Sequence, residues 1–175
     1  MKKLFLTAIL ICASNPGLAS HFHIALPITS EEGIKEFYGD LLGADIEAKR
    51  VADTITFAIN LDGNSLVMRV YPEFRYQRRW TENIELGGQK YDNVDGFHFG
   101  PLVSKERWVQ IRDQVLSLQE QGADLIEIPP YIKNEGQSNE VGFMILKAPS
   151  GYSFEVKYSA KIHAAVQDAP KQDLR

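Results

Sequence analysis

Between residues 22 and 28 apolar and polar positions alternate: Phe22, Ile24, Leu26 and Ile28 fall on one side, His23 and Ala25 on the other. A period of two predicts a strand. The spacing then changes to one helical face, with Ile34, Phe37, Tyr38, Leu41 and Leu42 at i, i+3, i+4, i+7 and i+8. Thr29 and Glu32 are spaced as a capping box before this helix, and Gly43 is placed to end it. Strands are predicted at 45–49, 54–60 and 65–71, the last two joined by Asp62-Gly63, a hairpin signal.

The same order then recurs. Phe97, Phe99 and Val103 alternate with Gly96, His98, Gly100 and Leu102, and Ser104 follows His98 at the distance at which Thr29 follows His23. Trp108, Ile111, Val115 and Leu118 form a second helical stripe, closed by Gly122. Both helices are followed by Gly-Ala-Asp, at Gly43-Ala44-Asp45 and at Gly122-Ala123-Asp124. Further strands are predicted at 124–128, 141–147 and 152–158, the last pair flanking Pro149-Ser150-Gly151. The chain is a β-α-β-β-β unit written twice, an α+β protein with module one at 21–72 and module two at 95–159. The linker at 73–94 is aromatic and basic (Phe74-Arg75-Tyr76-Gln77-Arg78-Arg79-Trp80) instead of Gly/Ser-rich, which predicts an ordered excursion. Residues 160–175 form a polar tail, expected to begin with a helical turn.

The first twenty residues stand outside this pattern. Lys2-Lys3 precede the apolar run Leu4 to Ala13, and breakers and small residues follow as far as Ser20. That order reads as a secretory signal over 1–20, cleaved near Ala19 or Ser20. The apolar run is too short to span a bilayer, so no stable membrane association is expected after cleavage. Ile11 before Cys12 argues against a lipoprotein signal. Cleavage leaves 17 basic and 23 acidic residues, a net charge of −6, and no cysteine. A periplasmic or secreted location is the expectation. An internal disulfide and a Cys-based zinc site are excluded. An apolar content of 44% with 24% charged residues is an ordinary globular balance, and an acidic chain gives no reason to expect nucleic acid as a partner.

Three residues have metal-ligand chemistry. His23 and His98 hold matching places in the two units, and Glu155 lies opposite Phe154, Val156 and Tyr158 in the last strand. Two imidazoles and a carboxylate form a ligand set for Zn, Mn, Ni or Fe. A solvated strand face carries the same residue types, so the pattern alone leaves both readings open. Cleavage after Ser20 would create a second possibility, a His21-Phe22-His23 terminus able to bind Cu²⁺ in a square plane.

The phrase HIALPITSEEGIKEFYGDLLGA resembles the opening of the vicinal oxygen chelate superfamily, which includes glyoxalases, fosfomycin-resistance proteins and extradiol dioxygenases. The phrase FMILKAPSGYSFEVKY resembles its closing D-P-x-G-x-x-x-E hairpin, with Ala148 in place of the usual Asp. The resemblance covers residues 22–158. It implies a cupped mixed sheet around a central cleft, with one divalent metal ion (Fe, Mn, Zn or Ni) held by His23, His98 and Glu155. Counting back from Tyr71 and Tyr158 sets Met68 opposite Glu155, where glyoxalase I-like members carry a carboxylate that acts as ligand and base. Met68 cannot remove a proton, so the resemblance implies open coordination positions for a bidentate oxygen ligand or for substrate plus O₂. Extradiol dioxygenases add further histidines, whereas only His21 and His163 remain here.

The expectation is an exported glyoxalase- or dioxygenase-like protein whose metal chelates vicinal oxygens of a small substrate, in lyase or oxygenase chemistry. The alternative is a metal-free module of the same fold that sequesters a small ligand. Substrate contacts are expected from Met68, Lys157, Arg75 and Tyr131. Tyr131 and Lys133 are read as a lid on a turn after Pro129-Pro130. The aromatic–basic linker is read as the contact of a homodimer, since Trp, Tyr and Arg are enriched at interfaces.

Overall fold

The computed structural model describes residues 23–51, 54–61, 64–78 and 80–162, apart from the side chains of His23 and Val51. The expected signal segment at 1–20, the expected Asp62-Gly63 turn, Arg79 and His163 lie outside the described residues. In chain order the elements are β1 (His23–Ile28), a π-helical segment (Lys35–Leu41), β2 (Asp45–Val51), β3 (Thr54–Leu61), β4 (Asn64–Val70), β5 (Thr81–Leu86), β6 (Gln89–Asp95), β7 (His98–Phe99), α1 (Lys105–Glu120), β8 (Ile126–Lys133), β9 (Val141–Lys147) and β10 (Ser153–Ser159). Two four-stranded sheets run β1-β4-β3-β2 and β7-β10-β9-β8. In each, the first strand is parallel to the last and the other pairings are antiparallel. The duplicated β-α-β-β-β unit is therefore present in three dimensions.

Strand parity decides which face each helix covers. In the first sheet Leu26, Ile28, Phe57, Ile59, Leu66 and Met68 are buried with Ile34, Phe37, Tyr38, Leu41 and Leu42 of the helical segment and its ends. In the second, Met144, Leu146, Phe154, Val156 and Tyr158 are buried with Trp108, Ile111 and Val115 of α1. Trp108 Nε1 donates to the Val156 carbonyl at 3.1 Å, so its one polar atom is satisfied inside the core. Gly142 is opposite Tyr158 in the ladder, and a Cβ there would run into the phenol ring.

The two modules share one core. Phe37 and Tyr38 meet the Phe154 ring edge-on at 5.8 and 5.4 Å. Tyr152 donates its hydroxyl to the Pro27 carbonyl at 2.7 Å, and the Thr29 amide donates to Ser150 Oγ at 3.1 Å.

Ser104 caps α1 by accepting from the Arg107 amide at 3.1 Å, as its place in the repeat predicts. The capping box in module one does not form. Thr29 donates its hydroxyl to the Phe74 carbonyl instead, and Gly33, at φ +74°, turns the chain between Glu32 and the helix. The helix starts at Ile34 with no side-chain cap and is π-wound, with the Leu42 amide bonded to the Phe37 carbonyl at 3.0 Å.

Two further expectations change. The strand placed at 124–128 begins at Ile126 and runs through Pro129-Pro130 to Lys133, with register shifts on both sides of Ile128. β8 is an outer strand of its sheet, where a proline removes no ladder hydrogen bond that a neighbour needs. Tyr131 and Lys133 thus belong to a strand and not to a turn or lid. The ordered linker contains a whole hairpin, β5–β6, turned by Gly87 and Gly88 at φ +57° and +82°. Its residues Ile84, Leu86, Tyr91 and Val94 pack with Ile128, Phe143 and Ile145 in a second small core. The tail begins with a helical turn at 160–162.

Candidate functional site

β1 pairs with β4 so that His23 stands opposite Ser65, and β7 pairs with β10 so that His98 stands opposite Ser153. These ladders superpose the two modules. They make Val67 the counterpart of Glu155 and Arg69 the counterpart of Lys157. Met68, matched to Glu155 by counting back from the two tyrosines, is fully buried on the opposite, helix-covered face. The count slips by one because Tyr71 corresponds to Ser159: it lies just past β4, exposed, whereas Tyr158 is buried within β10. Met68 does not border the site.

On the second sheet, His98, Ser153, Glu155 and Lys157 share the face turned away from α1. His98 is half-buried. Its Nδ1 lies 3.3 Å from the Asp95 carbonyl oxygen, a long hydrogen bond that directs Nε2 elsewhere. The Glu155 carboxylate is partly exposed and lies 3.7 Å from Lys157 Nζ. Gly100 makes this strand pairing possible, since a Cβ there would overlap the Glu155 carbonyl. Ile145 and Phe143 stand beside Glu155 and Lys157 on β9 and are covered by the hairpin. Half of this face is therefore filled by the linker, and the half carrying His98 and Glu155 borders the filling.

The remaining candidates separate. Arg75 donates through Nη1 to the Pro72 and Phe74 carbonyls at 2.6 and 2.7 Å, so its guanidinium holds its own loop. Tyr131 packs its ring against Phe143 at 5.7 Å and abuts Gly87 of the hairpin turn. Arg69 is exposed in the register place of Lys157 and has no side-chain partner among the described residues.

A polar network that the sequence pattern did not single out surrounds His98. Asp95 is fully buried; its carboxylate accepts from the Tyr76 hydroxyl at 2.5 Å and from the Phe97 amide at 3.1 Å. The Asp95 amide donates to Glu127 Oε1 at 3.3 Å. Glu127 also takes Arg78 Nη2 at 2.9 Å and the Ser153 hydroxyl. Burial and then the bond to Asp95 push the Tyr76 phenol well above its ordinary range, so it remains a proton donor at neutral pH. The available signals were faint: Asp-Gly at 95–96 marks a turn, and Glu127 sits among apolar residues where a solvated strand face is the simpler reading.

Among the described residues no group of three His, Cys, Asp or Glu side chains is arranged to hold a metal, and the His23 side chain is not among them. The two described ligand candidates have the donor chemistry that a divalent metal takes. His98 and Glu155 lie on one sheet face, on neighbouring strands, and each keeps a ligating atom with no hydrogen-bond partner among the described residues.

No family model matches the chain, and no curated protein matches it. Solved structures do. The chain is similar to the glyoxalase/bleomycin resistance protein/dioxygenase from Alicyclobacillus acidocaldarius, at 22% identity and TM-score 0.51 over 83% of this chain and 94% of that one. It is also similar to the glyoxylase/bleomycin resistance protein/dioxygenase domain from Frankia sp. EAN1pec, at 15% identity and TM-score 0.52 over 82% of this chain and 93% of that one. These likenesses, with the duplicated module, establish the vicinal oxygen chelate fold.

Proposed function

We propose that the protein is an exported metal-dependent enzyme of the lyase or oxygenase type. In this reading it acts on a small molecule with vicinal oxygens, and His23, His98 and Glu155 hold one divalent ion. The observation that carries the reading is the placement of His98 and Glu155 on one face with unsatisfied donor atoms, in a repeat that gives His23 the same register place as His98. When bound, the ion supplies Lewis-acid polarisation of the substrate oxygens. The chain's own residues do the rest. Lys157 and Arg69, at matching places of the two modules, attract an anionic group of the substrate. Val67, at the place of a fourth ligand, can neither bind the ion nor take a proton. This argues against glyoxalase I-type proton transfer and for open positions on the Val67 side. The order of charge, apolar run and small residues over 1–20 supports a periplasmic or secreted location, and the exposed Trp80 of the aromatic–basic linker supports a homodimer.

Metal analysis of the purified mature protein tests the proposal. Wild type should hold about one divalent ion per chain, and His98→Ala and Glu155→Ala should each lose most of it, because two remaining ligands hold such an ion poorly. Full occupancy in both variants would place the ion elsewhere. A second reading, a metal-free module that sequesters a small ligand, is favoured by the Lys157–Glu155 contact, which neutralises the carboxylate without a metal. Wild-type protein devoid of stoichiometric metal at neutral pH would select it.

A further inference from the structure

We infer that Asp95 is a positioning residue for His98, fixing the imidazole in its Nδ1–H tautomer so that the Nε2 lone pair is free for a ligand; the purpose assigned to that lone pair rests on the proposed metal reading. A carbonyl oxygen has no proton to give, so a hydrogen bond between His98 Nδ1 and the Asp95 carbonyl, 3.3 Å apart, requires the proton on Nδ1. That bond is only as well defined as the carbonyl that accepts it, and Asp95 is anchored on every side. One carboxylate oxygen takes the Phe97 amide and the other the Tyr76 hydroxyl. Its own amide is held by Glu127, which Arg78 and Ser153 fix in turn. Ser153 is also the ladder partner of His98. The network therefore closes on itself: the strand that pairs with His98 also supplies a hydroxyl to the acid that holds Asp95. Outer groups of this kind orient metal-binding imidazoles, and their loss typically lowers metal affinity by about 10–100-fold.

Nitrogen NMR of the metal-free protein reads the tautomer directly and needs no variant and no metal. Wild type should show the neutral His98 ring protonated at Nδ1. Asp95→Ala, which frees the Phe97 amide and the Tyr76 hydroxyl, should give a mixture of tautomers. In a Zn²⁺ titration against a competing chelator the same variant should bind about 10–100-fold more weakly. Asp95→Asn keeps an acceptor for Phe97 and should recover most of both effects. Tyr76→Phe, a milder change should Asp95→Ala fail to fold, should shift both readouts in the same direction by less. An Nε2–H tautomer in wild type, or an unchanged tautomer and Zn²⁺ affinity in Asp95→Ala and Tyr76→Phe alike, would overturn the inference. The expected tautomer pattern in a protein that binds no Zn²⁺ would sustain the role of Asp95 and sink the metal reading.

Discussion

Val67 is the position where a fourth ligand could be installed. It lies in the register place of Glu155, partly exposed, on the strand that pairs with β1. Val67→Glu should leave thermal stability nearly unchanged, within about 0.5 kcal/mol as for most surface changes, and should tighten divalent-metal retention in a chelator competition. Met68→Glu, one residue on, places a carboxylate in the apolar core and should destabilise by several kcal/mol or prevent folding. The reverse result would return Met68 to the site. Glu140 is a residue of another kind. Lys105 Nζ, the Tyr158 hydroxyl and the Gly136 amide all reach its buried carboxylate at 2.6 Å. Lys105 first, then Tyr158 and Gly136, lower its pKa from 4.5 to about 2. A depressed carboxylate stabilises the fold above its unfolded pKa, and that contribution fades as pH falls from about 4.5 towards about 2. The difference in urea unfolding free energy between wild type and Glu140→Gln should therefore be full near neutral pH and close as pH drops to about 2. A constant gap would show that the ion pair contributes nothing. His98 and Glu155 were legible as chemistry standing on the less apolar side of their strands. The Met68 slip arose because aligning two tyrosines is weaker than a backbone ladder, and a one-residue slip moves a side chain to the other face.

At the scale of elements, α1 was legible because three independent signals agree: the Trp108–Ile111–Val115 stripe, Ser104 at its start and Gly122 at its end. The helical segment of module one has the stripe but not the cap. Its π winding depends on how Phe37, Tyr38, Leu41 and Leu42 reach the core together, and spacing alone does not report that. The β5–β6 hairpin escaped notice for a different reason. Its strands, Thr-Glu-Asn-Ile-Glu-Leu and Gln-Lys-Tyr-Asp-Asn-Val-Asp, are mostly solvated and offer few apolar positions to alternate. Its turn chemistry was present, since paired glycines suit a two-residue hairpin loop. Gly88 occupies φ +82°, where a residue with a Cβ loses about 1–2 kcal/mol. Gly88→Val should lower unfolding free energy by that amount, and Gly88→Asn by less, because Asn tolerates the left-handed region. Equal losses in urea denaturation of the two variants would mean that backbone conformation is not what fixes the turn.

Seen whole, the molecule is a duplicated unit whose symmetry is broken most visibly by the hairpin that packs on the second sheet's open face, with no matching hairpin on the first sheet among the described residues. Repetition made the fold class readable, because two noisy copies of one pattern corroborate each other. The network around Asp95 was not readable, because it joins the linker, β6, β8 and β10, and nothing in a linear pattern connects residues 76, 95, 127 and 153. Two of the four outer strands, β2 and β8, carry a further consequence. β2 presents Asp45, Glu47, Lys49 and Arg50 to solvent, and β8 is interrupted by Pro129-Pro130 and by two register shifts. A free strand edge is a template on which a second chain can lengthen the sheet, and charge, proline and bulges are what spoil it. On this side neither sheet offers a clean edge for growth, so crowded copies of this protein resist zipping into fibrils along β2 and β8.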